Sequence, residues 1–245
     1  MAEHDDSIDT ILIAFVSTKG GVGKSTNLVG LAAGLLDDGH SVCIIDTDLQ
    51  ETSGSWAREC ARTHPNLTSK SLELSVDNVE LAHEQIIEAL EPVEFNLLDT
   101  AGAASAAMTA AMVTSDIILS PFMLTQPDMD GLIFSRDVLS TGLAYYGEDD
   151  DVDARFFGLV VRDNNFISNE DKGRLEALSI QIPLRRGMNR SPSVRRWMEA
   201  GLTPKQIKDG ITPAADAALL TEEGLAKAGA VIHQMTADIK ELINA

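Results

Sequence analysis

The chain has 245 residues, 44% of them hydrophobic and 23% charged, with a formal net charge of −19. This balance is that of a folded globular protein of one large domain or two small ones, and it excludes a disordered or collagen-like chain. The longest apolar runs, such as Ile11–Val16, fall far short of the roughly 18 residues that span a bilayer. The start carries Glu3, Asp5, Asp6 and Asp9 where a secretory leader would need positive charge, so none is expected, and Cys43 and Cys60 can build neither a disulfide framework nor a metal cluster. A cytoplasmic protein is expected.

In chain order, residues 1–10 read as a flexible start and 11–245 as one domain. Strands are predicted at Ile11–Val16, Ser41–Asp46, Ser71–Val76, Glu94–Asp99, Asp116–Ser120, Phe156–Val161 and Ser179–Pro183. Several are almost continuously apolar, as strands covered on both faces must be. Helical periodicity falls between them at Ser25–Asp38, Asn78–Glu91, Ala103–Thr114, Met129–Tyr146 and Glu170–Leu178. Asn78 is placed to cap the second of these helices, and Gly39 to end the first. Beyond Pro213 the spacing of Leu220, Ala226, Val231, Ile232, Met235, Ile239 and Leu242 predicts a helix that packs back on the domain. Acid-rich Gly147–Asp153 reads as a solvated loop. Alternating strands and helices predict an α/β fold, a mostly parallel sheet with helices on both faces.

The most informative residues are Ser17–Thr26 (STKGGVGKST), between the first strand and the first helix. That context turns a glycine-rich run into a phosphate-binding loop: backbone N–H groups face inward as an anion nest, and the helix N-terminus adds its dipole. Gly20, Gly21, Val22, Gly23, Lys24, Ser25 and Thr26 are the candidate nucleotide contacts. Lys24 supplies a charge to the β- and γ-phosphates, and the Ser25 hydroxyl suits Mg²⁺. Thr18 stands where the usual pattern has its first glycine, and a second lysine, Lys19, follows it.

The K-G-G-x-G-K-[ST] form is the deviant Walker A signature, and through it the chain resembles the ParA/MinD family of ATPases from Ile11 to about Leu202. Ser41–Gln50 (SVCIIDTDLQ) resembles the family strand ending in D-x-D, Asn96–Gly102 (NLLDTAG) its Walker B strand and switch II, and Pro121–Leu132 the segment after the next strand. No helix-turn-helix extension precedes the loop, so the likeness is to small ParA-like members, VirC-type proteins among them.

The resemblance implies ATP and Mg²⁺ as cofactors and slow, partner-stimulated hydrolysis. It makes Asp48 the residue that positions the attacking water, and it puts Asp46 and Asp99 with Ser25 near the magnesium. Gly102 would sense the γ-phosphate through its N–H. Lys19 would reach into the partner's site in an ATP-bound homodimer, a cation supplied in trans as an arginine finger is. Arg162 takes the place where relatives present an asparagine to adenine.

Residues 185–197 hold no acid and five arginines: Arg185, Arg186, Arg190, Arg195 and Arg196. In an acidic chain this segment suits the phosphates of double-stranded DNA, bound without sequence preference. Nucleoid association in the ATP state and a ParB-like or other adaptor follow from the resemblance. The alternatives are ion pairing of these arginines with the acidic remainder, a MinD-like member that uses a membrane or protein surface, and a metabolic P-loop ligase of the dethiobiotin-synthetase kind. The terminal helix is net acidic, which argues against stable membrane association. An iron–sulfur relative would need cysteines placed to bridge a dimer, and Cys43 and Cys60 are not.

Overall fold

A computed structural model describes residues 10–146, 155–162, 167–189, 192–209 and 222–243. Seven strands form one parallel sheet in the order β3-β2-β4-β1-β5-β6-β7. These are β1 (Ile11–Phe15), β2 (Val42–Asp46), β3 (Leu67–Ser71), β4 (Phe95–Asp99), β5 (Ile117–Phe122), β6 (Phe156–Val160) and β7 (Leu184–Arg186). The helices are α1 (Lys24–Asp37), α2 (Thr52–Cys60), α3 (Val79–Ala89), α4 (Ala106–Thr114), α5 (Gln126–Tyr146), α6 (Asn169–Ser179), α7 (Pro192–Glu199), α8 (Pro204–Lys208) and α9 (Glu222–Ile243).

The central strands alternate their side chains between two cores. Ile13, Phe15, Ile44 and Leu97 face α1, α2, α7 and α9, whereas Leu12, Ala14, Ile45 and Leu98 face α3, α4 and α5. Every residue of β2, β4 and β5 is buried, which is why those strands read as unbroken apolar runs. Helix α9 docks on a glycine face of α1, where a Cβ at Gly30 or Gly34 would overlap Met188 or Thr236. Its Ile232, Met235 and Ile239 are thereby committed to the core as their periodicity predicted, whereas Ala226 is exposed and Leu220 lies outside the described residues.

Two predicted strands are displaced. The edge strand β3 lies at Leu67–Ser71 rather than Ser71–Val76, and β7 at Leu184–Arg186 rather than Ser179–Pro183. Both are edge strands with polar composition, and in each case the neighbouring apolar residues carry the stronger strand signal. Ile182 is buried, but in the turn after α6. Helix α2 was not foreseen. It rests on Asp46, whose Oδ2 accepts the Ser53 hydroxyl and the Gly54 N–H, each at 2.8 Å. Its Trp56 meets Trp197 of α7 with ring centroids 6.3 Å apart. Asn78 caps α3 by accepting the Leu81 N–H, and Gly39 ends α1 at φ +93°.

Candidate nucleotide site

The C-terminal ends of the central strands carry the site, where ligands sit in doubly wound sheets. β1 delivers the loop 17–23 and α1 leaves it. Gly21 (φ +78°) and Gly23 (φ +99°) hold left-handed backbone that other residues rarely adopt. The space beside Gly20 and Gly21 is open: a Cβ on either would meet nothing within 4 Å. No side chain caps α1, so its first N–H groups keep their capacity for an anion.

Lys24 is buried and forms no ion pair among the described residues. Burial lowers its pKa, opposed by the charges of Asp99 and Asp48. Asp99, beside Phe15 and Asp46 in the sheet register, is fully buried, and neither carboxylate oxygen has a hydrogen-bond partner. Burial pushes its pKa up to about 6, with the Ser25 hydroxyl favouring the charged form while falling short of a well-formed hydrogen bond. Two orphaned carboxylate oxygens next to a hydroxyl and an open phosphate cradle fit a nucleotide-bound Mg²⁺. Among the described residues no three acidic, histidine or cysteine side chains gather to hold a metal by themselves.

Asp46, the other acid expected near the magnesium, has a local task. Besides its two bonds to α2, its Oδ1 accepts the Asp48 N–H at 3.0 Å, so this carboxylate is occupied in shaping the D-x-D turn. Asp48 is half-buried at that turn, with Oδ1 accepting the Gln50 N–H at 3.0 Å.

Gly102 packs against the loop itself, where an added Cβ would lie 2.8 Å from the Gly20 nitrogen and 2.9 Å from the Lys19 carbonyl. Lys19 Nζ donates to Asp128 Oδ1 at 3.1 Å, and the Thr125 hydroxyl holds the other Asp128 oxygen at 2.7 Å. Asp128 lies in the first turn of α5, within Pro121–Leu132, and nothing local encodes its pairing with Lys19. Asn27, also missed, is fully buried behind the loop.

The remaining candidates separate. Val161, not Arg162, faces the loop, lying 3.8 Å from where a Cβ on Gly23 would sit. Arg162 shares a groove of about 380 Å³ with Arg186 on the α6 side of the sheet. Arg185 lies over the Phe157 ring at 5.3 Å and donates to the Leu184 carbonyl. Arg190 and the side chains of Arg195 and Arg196 lie outside the described residues, and α7 carries the latter two.

The loop, the acids at the strand ends and the all-parallel sheet define a P-loop NTPase of the ParA/MinD type. The family model described as VirC1 protein matches residues 10–151, and the chain belongs to that family. Protein virC1 of Rhizobium radiobacter is 35% identical over 120 residues, 49% of this chain and 52% of that one. The chain thus spans about half the length of the curated relatives it matches. In fold it is similar to an ATP complex of a Cyanothece McdA variant (TM-score 0.70, 13% identity, 96% of this chain and 97% of that chain). It is similar too to a plasmid partition protein of Borrelia burgdorferi bound to AMPPNP (TM-score 0.62, 15% identity, 94% and 99%).

Proposed function

We propose that this chain is an ATP-hydrolysing switch that partitions or positions DNA or another cargo. ATP on the 19–26 loop joins two copies, the pair engages duplex DNA without regard to sequence, and a ParB-like or other adaptor triggers the hydrolysis that releases it. The observation that carries this reading is the open cradle at Gly20 and Gly21, with Lys24 buried beside it and unpaired and α1 uncapped above it.

Lys24 holds the β- and γ-phosphates in the ground state. Asp48 orients the attacking water, and the Gly102 N–H follows the γ-phosphate. Lys19 exchanges Asp128 for the partner's nucleotide, which would tie pairing to ATP. Ser25 and Asp99 would hold Mg²⁺, which when bound neutralises phosphate charge. A membrane output is disfavoured because the buried apolar residues of α9 are spent on the core. With about 2–3 phosphate contacts per subunit, log K for DNA falls against log salt with a slope of roughly −4 to −5 per dimer.

Nucleotide binding and phosphate release by Lys24→Ala and Asp48→Ala test the reading, with duplex DNA present. Lys24→Ala loses ATP binding. Asp48→Ala keeps it and hydrolyses at least about 100-fold more slowly. Hydrolysis by Asp48→Ala at the wild-type rate removes Asp48 from the water-positioning role.

A further inference from the structure

We infer that Arg162 and Arg186 form a clamp for a backbone phosphate of duplex DNA, separate from the ATP cradle. The inference rests on the DNA-binding reading above and adds to it a residue from outside the arginine-rich segment.

Strand register brings the two together. Val160 pairs with Arg186 across β6 and β7, and Arg162 follows Val160 by two residues, which in extended backbone returns a side chain to the same face. Both line, together with Arg185, the groove of about 380 Å³ whose far wall is α6, with Leu175, Glu176 and Ser179. Among the described residues neither guanidinium forms an ion pair, although Glu176 lines the same groove. Arg162 is held below its ordinary pKa by burial and by the charge of Arg186, so the two cations repel each other in a partly desolvated place. Two like charges kept together with no counterion among the described residues make a site for an external anion, and planar guanidinium forks match phosphate oxygens.

The ATP phosphates are not that anion. Intervening residues point the other way: Val161 faces Gly23, and a Cβ on Gly187 would meet Asn27 Oδ1 at 2.8 Å. A duplex suits the site because the basic segment continues from β7 into α7, a longer array than one acidic side chain requires.

The test uses the full chain with ATP, a labelled 30-base-pair duplex of arbitrary sequence, and the variants Arg162→Gln, Arg186→Gln and Arg162→Lys. ATP affinity is measured in parallel, and polyglutamate serves as a competitor. Each glutamine variant should weaken duplex binding at least about fivefold and flatten the log K–log salt slope by about 2 per dimer, one contact from each subunit. ATP affinity should stay within twofold, and Arg162→Lys should recover part of the slope. Unchanged duplex binding by the glutamine variants overturns the clamp while leaving DNA binding in place. A fall in ATP affinity with duplex binding intact returns Arg162 to the nucleotide. Polyglutamate binding that depends on Arg162, without duplex binding, makes the groove a site for acidic peptides. If the wild-type chain binds no duplex in any nucleotide state, the DNA reading itself fails and the clamp falls with it.

Discussion

The Met188 N–H donates to Asn27 Oδ1 at 2.7 Å, across 161 residues of sequence. On its other side Asn27 Nδ2 donates to the Gly23 carbonyl at 2.7 Å. One fully buried amide therefore ties the phosphate loop to the turn after β7, and each of its two polar atoms has a single partner. Asn27→Ala leaves the Met188 N–H without its bond and the Gly23 carbonyl with only the backbone N–H of residue 27, which should destabilise the fold by about 1–3 kcal/mol. Asn27→Asp should be no better, since its second oxygen would face a carbonyl. Urea unfolding measures both, and a loss below about 0.5 kcal/mol for the alanine would show that the bridge carries no weight.

Asp99 gives a pH dependence with a definite sign. Its folded pKa of about 6 lies above the ordinary 3.8, so the native state binds its proton more tightly than the unfolded chain does. The nucleotide-free protein therefore loses stability as pH rises from about 4 through 6, and the cost stays in place above 6, at about 3 kcal/mol. Asp99→Asn should raise the Tm of the nucleotide-free protein at pH 7.5, with the gain shrinking toward zero near pH 4. The same substitution should weaken Mg²⁺-dependent nucleotide binding. A Tm at pH 7.5 unchanged or lowered by the substitution contradicts the assignment.

Gly102 has no room for a methyl group, because the atoms it would strike are backbone rather than flexible side chain. Gly102→Ala should push switch II off the loop, cost about 1–3 kcal/mol of stability and weaken ATP binding at least about tenfold. Calorimetric titration with ATP decides this. Wild-type affinity would mean that the two backbones separate at little cost.

Lys19 and Asp128 are 40% and 13% exposed, so their ion pair should contribute less than about 1 kcal/mol. Such a pair is easily exchanged for a better one. Asp128→Asn should leave the Tm nearly unchanged and strengthen ATP-dependent pairing severalfold, whereas Lys19→Gln should bind ATP and stay single. Light scattering at matched concentration reads both, and pairing of Lys19→Gln with ATP would end the cross-subunit role.

How much of this was legible in the sequence follows from burial. β1, β2, β4 and β5 announce themselves because both faces are covered. The edge strand β3 (LTSKS) keeps only Leu67 fully buried, and β7 (LRR) is three residues with two arginines. α2 (TSGSWAREC) begins with weak helix formers and stands on Asp46, a contact no local pattern encodes. The phosphate loop was readable because its chemistry is local. Asn27 and Asp128 were not, since their partners lie 161 and 109 residues away. The same distance in sequence hid how the arginines gather, for only strand pairing sets Arg186 and Arg185 along the groove of Arg162, with Arg185 also over Phe157.

Trp56 and Trp197 are the chain's only tryptophans. Both are buried, and both indole N–H groups lack a partner. One rides on the helix that Asp46 anchors beside the D-x-D turn, and the other on the helix that carries Arg195 and Arg196. Tryptophan emission from this protein, excited at wavelengths that tyrosine does not absorb, therefore comes wholly from the seam between its nucleotide end and its basic helix. The molecule carries its own optical gauge of that seam, readable in stopped flow without a dye.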